Sequence, residues 1–95
     1  MKLLTNNLRD KIPPLYSTDG EDDPIVWCKF FTPDSSWTWY VLEFDGEDTF
    51  FGYVDGHYRE LGYFSLSELK EVRGKLGLPV ERDLHFEPKR LSDIK

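Results

Sequence analysis

Between residues 25 and 64 the chain presents four apolar runs separated by three turn signals, and that spacing constrains the fold more than any other feature. The runs are "IVWCKFF" (25–31), "WTWYVLEF" (37–44), "TFFGYV" (49–54) and "HYRELGYF" (57–64), each of ordinary strand length. "TPDSS", with Pro33 at a favoured turn position, then "DGED", then Asp55-Gly56, a two-residue hairpin signal, join them. Connections this short link antiparallel neighbours, so the runs predict a four-stranded meander. Seven Phe, five Tyr, three Trp and no Ala point the same way, because aromatics fit pleated surfaces and bury much area per residue.

A helix is expected after the last run. Ser65-Leu-Ser-Glu68 has the form of a capping box, and Phe64 and Leu69 occupy the two hydrophobic-staple positions. Leu66, Leu69, Val72 and Leu76 recur at helical spacing, with Gly77 placed as a stop and Pro79 beyond it. "TNNLRDKI" predicts one or two helical turns, with Thr5 as N-cap and Pro13 and Pro14 as terminators. In the tail, "VERDLHFEP" reads as a short extended piece with Leu84 and Phe86 inward and His85 exposed, and "LSDIK" is too short to be stable alone. The predicted architecture is a single α+β domain over residues 1–95: a four-stranded antiparallel meander sheet packed by one main helix, with short helical turns near the termini. The run 37–44 is apolar on both sides, with Trp37, Trp39 and Val41 on one face and Tyr40, Leu42 and Phe44 on the other. One helix covers one face. The other requires the N-terminal turn, the tail or a partner.

Charge is unevenly spread. Residues 19–55 carry ten acids and one base, Lys29, a net −9, and the flanks carry eight acids and eleven bases, a net +3. Phosphate-binding surfaces are basic, so direct nucleic-acid binding is disfavoured and basic partners are favoured. In a meander, residues 19–23, the "DGED" turn (45–48) and the start of the Ser65 helix fall at one end of the sheet, which predicts a gathering of seven carboxylates relieved in part by the helix dipole. As a divalent-cation site this is weak, because "DGEDTFFGYVDG" lacks the calcium-loop spacing. Turn chemistry explains Asp and Gly there equally well.

Other chemistry is sparse. Cys28 is the sole cysteine, so no intramolecular disulfide forms, and without a charged activator it reads as a packed thiol. His57 follows the Asp55-Gly56 turn and could meet Asp55, Asp34 and Ser35 at the opposite end, but no catalytic motif surrounds them. No zinc spacing and no phosphate loop is present, so neither a metal nor another cofactor is expected. The single cysteine and the lack of a leader sequence predict a cytoplasmic setting, and no run approaches the ~20 apolar residues of a membrane span.

"KFFTP" (29–33), "WTWYV" (37–41), "EFDGEDTFFG" (43–52), "ELGYFSLSEL" (60–69) and "GLPVERD" (77–83) together resemble a family of small bacterial proteins of unknown function, carried largely on plasmids and integrative conjugative elements. The likeness runs from Leu3 to about Pro88. It implies an accessory protein of a mobile element and supplies no catalytic residues. The reading that unites these features is a non-enzymatic protein-binding accessory. Trp37, Trp39 and Tyr53 would make contact and Asp45, Glu47 and Asp48 would steer a basic or nucleic-acid-associated protein, the acids standing in for phosphates. Self-association remains open. The alternatives are a small-ligand binder or enzyme at Asp34, Ser35 and His57, and a binder of single-stranded nucleic acid through the aromatics.

Overall fold

A computed structural model describes residues 2–95. In chain order it contains α1 (Asn6–Lys11), β1 (Ile25–Val26), β2 (Cys28–Phe31), β3 (Thr38–Phe44), β4 (Thr49–Asp55), β5 (Arg59–Ser65), α2 (Leu66–Glu71), β6 (Glu81–Arg82), β7 (Lys89–Arg90) and a 3₁₀ turn, Leu91–Asp93. The protein is mixed α and β, mostly strand, with antiparallel pairing throughout. The sheet has five strands rather than the expected four, in the order β5-β4-β3-β2-β6. The fifth comes from "VERD", where Arg82 pairs with Phe30 and Glu81 with Phe31. That pairing crosses some fifty residues of sequence, so local turn signals could not announce it.

The first apolar run is not one strand. It breaks at Trp27, whose amide donates to the Val41 carbonyl. Residues 25–26 pair with β7 from the tail, and residues 28–31 pair with β3. The β4–β5 hairpin also differs from expectation. Asp55 pairs with Arg59, and residues 56–58 form the loop, closed by a Gly56 N–H to Tyr58 carbonyl bond. The two-residue turn favoured for Asp-Gly needs positive φ at both central residues, and Gly56 is not among the positive-φ positions.

A bulge in β3 decides which side chains face which way. Val41 pairs with Gly52, but Glu43 pairs with Phe51, so Leu42 is the additional residue. Leu42 and Glu43 therefore both fall on the second face, and Phe44 returns to the first, against the simple alternation that grouped it with Tyr40 and Leu42. The first face buries Phe30, Val41, Phe44, Phe50 and Phe64 against Leu3, Leu4 and Ile12 around α1 and Leu66 and Leu69 of α2. Phe50 is central, with Phe44 and Phe64 stacked on it at 4.5 and 5.3 Å. The second face holds Val26, Leu42 and Tyr53 under Leu91, with Tyr40, Phe51, Phe86 and Ile94 partly buried beside them. The tail is thus the cover that this face needed. "LSDIK" is held there because the Asp23 carboxylate accepts from the Ser92 amide at 2.8 Å and the Ser92 hydroxyl at 2.7 Å. Leu84, expected inward, is 64% exposed, and Phe86 alone packs.

α2 begins as expected, with the Ser65 hydroxyl accepting from the Glu68 amide at 3.1 Å. It ends early, at Val72, whose backbone is extended. Leu76, expected on its apolar face, is 82% exposed. Residues 73–79 form a tight loop in which the Gly74 amide bonds to Leu78 and Arg73 bridges to Pro79. Two glycines within four positions weaken the helix there. A carboxylate from the β2–β3 turn then captures the freed amides.

Candidate functional site

That carboxylate is Asp34. Its Oδ2 accepts from the Leu76 amide at 2.6 Å and the Leu78 amide at 3.3 Å. Gly74 presses so closely on it that a Cβ there would lie 1.4 Å from Oδ1. Asp34 is therefore a clamp on the loop after α2, not a partner of His57. His57 is exposed and touches the Trp37 ring edge-on at 5.3 Å, while Asp55 pairs with Arg59 at 3.5 Å. Among the described residues no hydrogen bond joins His57 to Asp55 or to a serine, so the postulated acid–base group does not assemble.

The clamped loop lines a cavity of about 430 Å³. Trp37, Trp39, Val72, Ser35, Arg73 and Lys75 line it. Trp37 and Trp39 stack at 5.9 Å with 27° between their planes. Trp39 is buried and belongs to the first-face core, whereas Trp37 is half-buried. Tyr53 does not join them. Its pairing with Tyr40 puts it on the other face, 8% exposed, with the Lys95 ammonium 5.5 Å from its ring centre. The three aromatics expected to form one contact surface are split between the two sides of the sheet.

The acidic segments do not merge either. Three of the expected carboxylates, Asp23, Asp45 and Asp48, have local backbone duties. Asp45 accepts from the amides of Glu47, Asp48 and Thr49 at 2.8, 2.8 and 3.0 Å, which closes the four-residue turn with Gly46 at φ 89°. Those amide bonds, Glu47 and Asp48 foremost, hold its carboxyl below the usual range. Asp48 caps α2, taking the Ser67 amide and hydroxyl at 2.8 Å each. Asp23 caps the tail turn, and the Ser92 hydroxyl and amide lower its carboxyl. Glu43, 2% exposed, accepts from the Tyr16 and Thr18 amides at 2.8 and 2.9 Å and from the Thr18 hydroxyl, pinning the loop that carries Asp19–Asp22. Tyr16 adopts φ 69° in that loop. Among the described residues no group of three or more His, Cys, Asp or Glu side chains comes together as a metal site. Glu47 remains exposed with an unengaged carboxylate at the turn tip.

What stays open is the outer side of β5. This strand has seven residues and a neighbour on one side only. Leu61 and Tyr63 are 48% and 56% exposed on the second face, beside Phe51, whose ring lies 5.0 Å from that of Tyr63. A groove of about 240 Å³ joins Phe51, Leu61 and Leu42 to Asp19, Glu21 and Asp22. The Tyr63 phenol is held above its usual range, first by desolvation, then by a hydrogen bond with Tyr16 and by the charges of Asp19 and Glu43. The aromatic strip and the acidic loop are thus neighbours.

Cys28 is buried in the first-face core, and burial pushes its thiol up to about 12. A thiol held protonated by burial offers little thiolate near neutral pH.

A family model described as "Protein of unknown function (DUF2958)" matches residues 2–93. The chain belongs to this family. No curated protein and no solved structure matches it. Membership assigns no activity, so the chemistry has to be read from the surfaces themselves. Sequence reasoning found Trp37, Trp39 and Ser35 of the cavity but missed Val72, Arg73 and Lys75, because a helix drawn through Leu76 turns those residues elsewhere. It missed Leu61 and Tyr63, although their alternation in "RELGYF" beside the final hairpin was a usable signal for an edge strand. Among the described residues no helix is long and apolar enough to cross a membrane.

Proposed function

We propose that this protein is a non-enzymatic binding module that docks a basic, extended segment of a partner protein along β5. The observation that carries the reading is the free β5 edge, with Leu61 and Tyr63 exposed beside Asp19, Glu21 and Asp22. An unpaired strand offers a row of backbone donors and acceptors to an incoming strand. Native edges are usually protected by lysine, proline or a bulge, and residues 61–64 carry none of these. Exposed tyrosine and leucine supply contact area, and the acids select lysine and arginine in the partner. Asp45, Glu47 and Asp48 keep a role in long-range steering. A carboxylate that caps a turn is still charged, and the −9 of residues 19–55 attracts a basic surface whatever its hydrogen bonds.

Proteins that handle nucleic acid present such surfaces, so an acidic protein that occupies one would compete with phosphate. Carriage on plasmids and conjugative elements, which the family resemblance implies, would give such a competitor a use against host factors. The test is site-specific photo-crosslinking in bacterial lysate, with the crosslinker at position 63 and, as control, at position 84. The reading expects a defined adduct with a basic segment at position 63 only. That adduct weakens with added salt and disappears when Glu21 and Asp22 are changed to lysine. Adducts indifferent to salt and to those charge reversals would refute it.

A further inference from the structure

The geometry points to a second binding site on the other face of the sheet: the cavity between the Trp37–Trp39 stack and the 73–79 loop takes a small planar aromatic anion, of the class of a mononucleotide. Its volume of about 430 Å³ lies within the usual range for small-ligand sites. Its walls are the two stacked indoles and Val72, which suit a flat apolar ring. Its lining also carries cations. Arg73 and Lys75 line it, and among the described lining residues there is no carboxylate, although Asp34 lies behind Gly74 with its charge spent partly on the Leu76 and Leu78 amides. A neutral apolar ligand would have no use for those charges, and a cation would be repelled by them.

The site is pre-organised rather than a gap between mobile parts. Asp34 fixes the loop through the Leu76 and Leu78 amides. Arg73 Nη1 donates to the Lys70 and Val72 carbonyls at 2.9 and 2.8 Å, which anchors the guanidinium. On the far side, His57 packs edge-on against Trp37, and the ring lies directly over Gly56, where a Cβ would sit 2.3 Å from Cζ3. Pre-formed walls lower the ordering cost of binding. Ser35 adds a hydroxyl that can donate to a phosphate or carboxylate oxygen. A ring bearing a phosphate and a ring bearing a carboxylate share this chemistry, and the test separates them.

Isothermal titration calorimetry at low salt would use five probes: AMP, indole-3-acetate, adenosine, inorganic phosphate and an oligothymidylate. The indole N–H resonances of Trp37 and Trp39 would report the site by NMR. AMP or indole-3-acetate should bind at least ~10-fold more tightly than adenosine or phosphate alone and shift the Trp37 resonance. The tighter of the two identifies the anion as phosphate or carboxylate. Lys75→Glu should weaken that binding by about 10-fold or more. Because Lys75 is exposed, its effect decides the matter even if Trp37→Leu fails to fold. The inference is overturned if neither anionic probe saturates at millimolar concentration, if adenosine binds as well as AMP, or if Lys75→Glu leaves binding unchanged. It is also overturned if only an oligothymidylate binds, which would make the cavity part of a strand groove. None of these outcomes depends on β5.

Discussion

Replacing Gly74 with alanine should destabilise the protein only while Asp34 is present. The added Cβ would lie 1.4 Å from Asp34 Oδ1 and 2.2 Å from its Cγ, so either the carboxylate or the loop must move. Overpacking of this kind costs about 1–3 kcal/mol. The three atoms nearest that Cβ all belong to Asp34, and the φ of Gly74 is not positive, so the backbone itself accepts alanine. Asp34→Ala removes the acceptor for Leu76 and Leu78. Only the 2.6 Å bond is short, and both amides are exposed to replacement by water, so the expected cost is about 1–2 kcal/mol. Loss of Oδ1, which is buried without a partner, offsets part of that. If the two changes acted independently, the double variant would lose about 2–5 kcal/mol. The geometry predicts instead about 1–2 kcal/mol, because the new methyl enters the space the carboxylate leaves. Urea denaturation of the four proteins measures the coupling directly, and thermal melts should show it as about 4–8 °C per kcal/mol. Costs that add to within about 0.5 kcal/mol would refute the clamp.

Three further outcomes follow from the same contacts. Glu43→Ala should cost about 1–3 kcal/mol, because it leaves the part-buried Tyr16 and Thr18 amides without their acceptor, and proteolysis should then cut first within residues 14–24. Asp23 and Asp45 ionise at lower pH folded than unfolded, so their stabilisation is complete above about pH 4 and is lost as pH falls through the folded values. The urea midpoint should therefore fall in acid, and Asp45→Asn should flatten that limb of the profile. Cys28, with its thiol near 12, should react with Ellman's reagent at pH 8 only at the rate of opening, and the rate should rise with urea. Immediate stoichiometric reaction of the native protein would contradict its burial.

Strand positions and helix starts were legible in the sequence because they depend on neighbours. The Ser65–Glu68 cap, the Thr5 cap, β3 and β4 formed where local pattern put them. Several misses trace to contact between residues far apart in sequence. α2 stops short because a carboxylate 42 residues before Leu76 binds the loop amides. The fifth strand and β7 exist because the tail returns to β2 and β1. The bulge at Leu42 was invisible because β3 is apolar on both sides, so a change of face brings no polar residue into view. Acids at turns were expected, but which amides they would cap was not, and that difference dissolved the carboxylate cluster. The candidate surfaces moved accordingly. Trp37 and Trp39 kept their partnership, Tyr53 left it, and Leu61 and Tyr63 appeared on the edge that the tail does not reach.

The central claim is that β5 receives a partner strand. Amide hydrogen exchange across residues 59–65, measured for the free protein and with the basic segment cross-linked at position 63, tests it most directly. The account predicts fast exchange at the outward amides of β5 in the free protein and marked slowing on binding, with little change at the Trp37 cavity. Unchanged exchange in β5, with new protection confined to other strands, would contradict it.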